Sequence, residues 1–489
     1  MTHLPVLQVV LPLACAPLCA LLRSRTVAWL LFLLAAVGSL ACAVLLAVQV
    51  SDGGPVRYAM GGWPAPEGIE FVVAGFNTPV LLLVSAIAVV AAVYARRSVP
   101  AEIDDRRIPL LYTCLCLTLT GLLGITITGD AFNVFVFLEI SSLSSYALIA
   151  MGRRRRALVA SFRYLVIGTV GATFVLLGIG LAYAVTGTLN MADLAARLSE
   201  PDGNRALYAA VVFVFIGLAV KMAVFPLHAW LPAAYAEAPS VVSTFLAATS
   251  TKVAIYVFCR FAFTIFGAGL VFRAMPIGQA GLLLAALAML VGSAVACFQT
   301  DLKYLLAWSS VAQIGYIVAG ISLGTAAGVS AGYLHVINHA IIKAALFAAA
   351  GLLLWRLGSV RLTALAGLGR RMPWTFAAIV VAGLGLVGVP PTSGFASKWA
   401  LAAALIERNQ WPVLVAVLVS SLLALVYVGR IVEVAWFRDP STTTEPKKPP
   451  ASMVAAIWVL VLVSVYFGLD ATLPATLADA AADALLGGG

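Results

Sequence analysis

The sequence predicts an all-α polytopic membrane protein with about fourteen transmembrane helices, and three observations carry that prediction. Hydrophobic residues occupy 63% of 489 positions and charged residues only 10%, against roughly 25% charge in soluble domains. The apolar residues fall into runs near the ~20 residues that cross a bilayer. The Lys and Arg residues behind the net charge of +10 gather in alternate loops.

In chain order the runs are 4–22, 27–50, 74–95, 109–128, 131–151, 158–186, 208–225, 240–266, 277–297, 303–323, 328–354, 375–405, 411–436 and 451–469. The first begins apolar at once, and Arg23 and Arg25 follow it. A cleaved signal peptide has the opposite order, so this reads as a retained span. The seventh and twelfth runs contain internal breaks, at Pro226 and at Pro390–Pro391. Between the sixth and seventh, residues 188–200 have apolar positions near helical spacing and mixed charges, which predicts a short surface helix.

The segment 438–450 (RDPSTTTEPKKPP) reads as an extended linker and sets the last span at the periphery. The Ala-rich tail after Leu469 is expected to be partly disordered or to lie on the outer surface.

With loops numbered by the helix they follow, eighteen Lys and Arg lie in odd loops, at 23–25, 96–107, 153–156, 303, 356–371 and 438–448. Five lie in even loops, at 57, 197, 205, 273 and 408. The positive-inside rule then places odd loops in the cytoplasm and both termini outside, in a bacterial-type plasma membrane. The Arg153–Arg156 run sits between two spans, so it reads as topology rather than nucleic-acid binding. The seven cysteines lie in apolar runs with no CxxC pair or zinc spacing, which predicts packing residues rather than disulfides or a cluster.

Ionisable residues inside the spans are few, and each is expensive there, so each is a functional candidate. Glu139 lies mid-way along the fifth span, either as a protonated structural group or as the partner of a buried lysine. Lys221 precedes Pro226 by five residues. A helix broken at membrane depth is tolerated only in a protein interior or a wet cavity, and a lysine beside it suits a proton site. A static Glu139–Lys221 pair is the alternative.

Lys252 in the eighth span has Tyr256 and Arg260 at successive i+4 positions. His335, His339 and Lys343 recur four apart in the eleventh, open to proton relay, structural hydrogen bonding or metal binding. No third metal ligand is evident, and no metal is expected.

Lys398 follows the Gly/Pro break of the twelfth span, repeating the seventh. Two broken segments in oppositely oriented halves point to inverted repeats around a transport site. Asp130 is a helix cap or part of an uptake path. Glu237 is a cap or an uptake group, and His228 is undecided. Arg430 is expected to pair with Glu433 at i+3. There is no P-loop, no GxGxxG followed by a soluble α/β unit and no nucleotide-binding domain, so no nucleotide or other cofactor is expected. The driving force must come from an ion gradient or a partner chain.

Several long stretches carry a family resemblance: GDAFNVFVFLEISSLSSYALI, KMAVFPLHAWLPAAYAEAPSVVSTFLAATSTKVAIY, DLKYLLAWSSVAQIGYI, HVINHAIIKAALF and GVPPTSGFASKW. Over roughly residues 70–440 the chain resembles the antiporter-like subunits shared by respiratory complex I, membrane-bound hydrogenases and Mrp-type cation/proton antiporters. It is most similar to the D-type subunits of Mrp antiporters, through TGDAFNVFVFLEI and a lysine rather than a glutamate in the twelfth span.

The resemblance implies helices 1–3 over 1–108 and inverted five-helix repeats over 109–266 and 277–436. Helix 14 and the tail follow over 451–489. It implies a midplane line of Glu139, Lys221, Lys252, His335 and Lys398 that moves H⁺ in exchange for Na⁺ or K⁺. It also implies partners, the other membrane subunits of a hetero-oligomeric complex. A subunit of a redox-driven pump is the alternative, and in either case the chain is a transporter subunit rather than a catalyst alone. The long C-terminal lateral helix of the largest complex I antiporter-like subunit is lacking, which argues against that subtype.

Overall fold

The computed structural model describes residues 3–198, 205–440 and 448–487. Residues 199–200 of the expected surface helix, 441–447 of the linker and the last two glycines lie outside them. Two long helices, α1 (Leu4–Leu22) and α2 (Arg25–Gly53), precede a short antiparallel hairpin of β1 (Val56–Ala59) and β2 (Glu70–Val73). Four helices follow: α3 (Thr78–Glu102), α4 (Ile108–Ile127), α5 (Ala131–Ala150) and α6 (Arg155–Thr186). The predicted surface helix is α7 (Met191–Arg197).

The seventh span is divided into α8 (Arg205–Met222) and α9 (Leu231–Glu237). Then come α10 (Ser240–Cys259), α11 (Ile277–Phe298), α12 (Leu302–Ser322) and α13 (Ala326–Leu357). The twelfth span is likewise divided, into α14 (Pro373–Val387) and α15 (Ser393–Glu407). The chain closes with α16 (Trp411–Phe437), α17 (Ala451–Leu469) and α18 (Thr472–Leu486).

Among the described residues, thirteen helices are long and apolar enough to cross a membrane, and α14 is a shorter apolar one. The predicted span outside these thirteen is the twelfth, the divided α14–α15 unit. The bundle sorts by burial. In their most apolar windows, α10 is 89% and α12 94% buried, against 33% for α1 and 39% for α6 and α11. A helix apolar on all sides belongs in an interior or in lipid. The interior helices α10, α12 and α13 carry Lys252, Lys303, Lys343, His335 and His339, while Lys221 lies on α8 and Lys398 on α15.

Two expectations about the C-terminus are corrected. Helix α17 is not set apart from the bundle: it packs on α13, α3, α14 and α15, with 33% of its most apolar window buried. Ser464 of α17 shares a 2.9 Å hydrogen bond with Ser393, and Gly468 is seated against the backbone of Pro391 and Thr392. A linker's composition reports its own solvation and says nothing of where the next helix docks. For the tail, disorder is the alternative overturned: Thr472–Leu486 forms a helix, because Ala is the best helix former. The buried residues Ala478, Ala481, Ala482 and Leu485 of α18 follow the i, i+3, i+4, i+7 spacing of one helix face, and α18 lies along α13 and α3.

The hairpin was not foreseen, and the Asn77 side chain is one of the groups that tie it to the bundle. Asn77 is fully buried. Its Nδ2 donates to Val72 O (2.7 Å) and Thr126 O (2.9 Å), and its Oδ1 accepts from Ala74 N (2.8 Å). Alanine there would take the side-chain partner from the Ala74 N–H and the Val72 carbonyl, while Thr126 O would keep the Tyr256 hydroxyl at 2.8 Å. We expect Asn77→Ala to cost about 2 kcal/mol, read as a lower temperature of heat-induced aggregation of the detergent-solubilised protein.

The Arg430–Glu433 expectation is also corrected. Arg430 instead donates to the carbonyls of Cys297 and Gln299 at the end of α11 (2.5 and 3.0 Å), a negative helix pole with unpaired carbonyls. Glu433 pairs with Arg438 at 2.8 Å.

Candidate functional site

The seventh-span break is built by residues that cannot continue a helix. Helix α8 stops at Met222, Ala223 takes a positive φ of 58°, and a cis Phe225–Pro226 bond follows. Trp230 recovers one freed carbonyl by donating to Val220 O at 2.9 Å, and it stacks on Tyr164 at 3.8 Å. Lys221 is thereby fixed in the last turn of α8. Its Nζ lies 3.7 Å from Glu139 Oε1 and 2.8 Å from Ser142 Oγ. The lysine is buried, while the glutamate side chain is 22% exposed.

The twelfth-span break uses the same logic with a different partner. Gly388 caps α14 in the left-handed region (φ 85°), and a Cβ there would press on Lys398. The Lys398 ammonium folds back onto the carbonyls that the break releases, donating to Leu386 O (2.7 Å) and Val387 O (3.1 Å). Ser421 Oγ stands at 2.9 Å, and the Tyr316 ring lies 4.4 Å away. Lys221 therefore faces a carboxylate, whereas Lys398 faces the negative pole of a half-helix.

Between these breaks lies an interior row. Lys252 donates to Ala247 O (2.5 Å) and approaches Thr251 Oγ1 (3.3 Å). Lys343 donates to Leu306 O (2.8 Å) and Ser309 Oγ (2.5 Å). The His335 and His339 rings stack 5.9 Å apart, 7° from parallel. His339 stands within electrostatic range of Lys252, Lys343, His335 and Lys398, and neither of its nitrogens has a hydrogen-bond partner.

His335 has a partner on each side: Nε2 meets Gln313 Oε1 and Nδ1 meets Ser397 Oγ, both at 2.9 Å. The amide oxygen only accepts, so Nε2 carries a proton, and Nδ1 either accepts from the serine or, when protonated, donates to it. The structure thus brings Lys252, Lys343, His339, His335 and Lys398 together, with the Glu139–Lys221 pair on neighbouring helices. Among the described residues, no three His, Cys, Asp or Glu side chains converge as a metal site, and all seven cysteines are free thiols.

The remaining candidates stand apart from the row. Asp130 is a cap: its Oδ1 accepts from Asn133 N at 2.7 Å at the start of α5. Burial raises its carboxyl above the ordinary aspartate range, opposed by the N–H groups of Asn133 and Phe132. His228 stacks on Phe225 and meets Trp308 edge-on, both at 5.2 Å. Glu237 is not the cap of α10; Glu102 is, accepting from Ser240 N at 3.0 Å. Glu237 ends α9 instead, accepts from Tyr304 OH at 3.1 Å and lies 4.0 Å from Arg154. It lines a cavity of about 740 Å³ with Glu102, Arg153, Arg154, Lys303 and Arg356. Lys303, counted above as a loop charge, is buried and donates to Ala238 O at 2.9 Å.

Sequence reasoning missed Gln313, Ser142, Ser309, Ser397 and Tyr316. Gln313 was the findable one, a lone amide in an apolar helix. Serines are common in membrane helices and carry no such signal.

Comparison with known proteins agrees with this architecture. Residues 128–424 match the family model described as NADH:quinone oxidoreductase/Mrp antiporter, transmembrane. The chain is 42% identical over 484 residues to the N subunit of NADH-quinone oxidoreductase of Desulforudis audaxviator, covering 96% of each. It is 30% identical over 491 residues to the D subunit of the Na(+)/H(+) antiporter of Bacillus subtilis, covering 99% of this chain and 98% of that one. Among solved structures, a chain of the Mrp complex from Dietzia superposes with a TM-score of 0.90 at 28% identity, over 99% of this chain and 97% of that one. With more than half its length matched by the family model and close relatives along nearly all of it, this chain belongs to the NADH:quinone oxidoreductase/Mrp antiporter transmembrane family.

Proposed function

We propose that the chain is a proton-translocating subunit of a multi-subunit Mrp-type antiporter that exchanges Na⁺ or K⁺ for H⁺. The observation that carries this reading is the buried row of Lys252, Lys343, His339, His335 and Lys398, set between two broken helices. Isolated charges at membrane depth are costly, and a row of them fits the repeated hand-over of one kind of ion. Protons enter near Glu139, Lys221 and Lys252, pass His339 and His335, and leave by Lys398. Imidazole suits the middle position because its unperturbed pKa lies near neutrality.

The two halves, 109–266 and 277–436, act as inverted repeats, each with one break. The odd loops face the cytoplasm of a bacterial-type plasma membrane and both termini face outward. On that assignment the cavity at Glu237 opens to the cytoplasm, which supports an uptake role. Asp130 serves α5 as a cap, and His228 holds the first break by stacking. The other subunits of the complex are the partners.

A second reading is favoured by the relative at 42% identity, named as a quinone oxidoreductase subunit: the same row would then serve a redox-driven pump. One experiment separates the two. Membranes carrying the chain with its neighbouring gene products are everted and energised, and collapse of the pH gradient is followed on adding Na⁺ or K⁺. The antiporter reading expects cation-dependent collapse that disappears when this chain is deleted. Collapse that ignores both cations, together with quinone-reducing subunits co-purifying with the chain, would establish the second reading instead.

A further inference from the structure

We propose that the pocket around Arg260 binds an anionic phospholipid, with the headgroup phosphate seated on the Arg260 guanidinium. Arg260 opens a π-helical turn (Arg260–Ile265) that continues α10, two helical turns beyond Lys252. It is only 8% exposed. Among the described residues its Nε has no hydrogen-bond partner. Its Nη2 meets the sulfur of Met191 at 3.3 Å, and its Cζ lies 4.0 Å above the Phe76 ring. Five N–H donors are thus answered by a thioether and a π face. Among the described residues no carboxylate pairs with it.

The space in front of Arg260 is large, an open cavity of about 1340 Å³ bordered by α2, the hairpin, α7, the π-helical turns and α18. Small-molecule sites run to roughly 300–1,000 Å³. Its walls are mostly apolar, with Phe263, Phe266, Leu270 and Leu477 among them.

Charge on the walls singles out Arg260. Arg57 is held by Glu70 at 3.1 Å. Asp483 is exposed on α18 and makes no ion pair with Arg260. Among the described residues, Arg260 is therefore a cation without an ion pair on the wall of a mostly apolar recess. A guanidinium matches phosphate oxygens with two parallel hydrogen bonds. Free phosphate would satisfy the arginine but leave the apolar walls uncovered. An uncharged lipid would cover the walls and leave the guanidinium bare. A lipid with a single phosphate and an acyl chain meets both demands, and the bilayer supplies it. The site lies apart from the row of lysines and histidines.

The test uses the complex purified in a neutral detergent, stripped of lipid and examined by native mass spectrometry. The probes are phosphatidylglycerol, a diacylglycerol of matching chains and inorganic phosphate. Phosphatidylglycerol is expected to bind, and Arg260→Gln to weaken it by about tenfold or more, with Arg260→Lys recovering part of the loss. Thr476→Trp, on the exposed face of α18 and within the pocket wall, fills the recess while keeping the charge and should also lower lipid binding. It carries the test if Arg260→Gln fails to assemble. Equal binding of phosphatidylglycerol and diacylglycerol would overturn the proposal. So would binding indifferent to both Arg260→Gln and Thr476→Trp, or occupancy by inorganic phosphate that lipid does not displace.

Discussion

Lys221→Arg is expected to assemble normally and to lose cation-driven proton exchange by about 100-fold, the lower end of what removing a proton-transfer group costs. Arginine keeps a positive charge opposite Glu139, so it preserves whatever the ion pair contributes to folding. It does not release its proton in a protein, so it blocks any step that needs Lys221 to become neutral. Lys221→Ala should lose exchange to the same degree. Removing one member of a buried pair commonly costs about 3–5 kcal/mol by leaving the other charge unpaired. Here the cost is expected to be smaller, because the Glu139 side chain is 22% exposed and can be hydrated or protonated. The two variants together separate a relay from a static pair. Exchange in everted vesicles and subunit stoichiometry on gel filtration are the measurements. If Lys221→Arg exchanges at the wild-type rate, Lys221 is a structural counter-ion and the proton path runs elsewhere.

That pair was legible in the sequence because of its cost. A carboxylate and an amine within oily runs, one of them five residues before a proline, advertise themselves by being expensive where they stand. Helix count and the two breaks were legible for a similar reason, since 20-residue apolar runs and Gly/Pro interruptions are local signals. The hidden features depend on partners distant in the chain. Nothing near Lys398 says that its ammonium turns back onto the carbonyls of Leu386 and Val387. Nothing near Glu102 says that it caps α10, 138 residues away. The Lys303 misreading has the same origin, because a charge at a helix start looks solvated until its neighbour, here Ala238, is known. The hairpin escaped because its two four-residue strands are too short for their alternation to stand out.

Gly394→Ala is expected to have the second large effect, through packing alone. At the twelfth-span break the end of α14 rests directly on the start of α15, and a Cβ on Gly394 would fall within the carbonyl of Gly385. That obstacle is backbone, so no rotamer change relieves it. Overpacking of this kind typically costs about 1–3 kcal/mol. Here the displaced carbonyl lies next to Leu386 and Val387, whose oxygens hold Lys398. The strain should therefore reach the lysine as well as the fold. We expect a lower heat-aggregation temperature and a loss of exchange larger than the loss of assembled protein.

Gly429→Ala is the control. That glycine lies on the exposed side of α16 with nothing near its would-be Cβ, and alanine there should be neutral or stabilising by about 0.5–1 kcal/mol. If both variants behave alike, close contact at the break does not matter and Lys398 is held some other way. If only Gly394→Ala fails, the break is a tightly fitted joint, and the lysine's position depends on two half-helices that touch backbone to backbone.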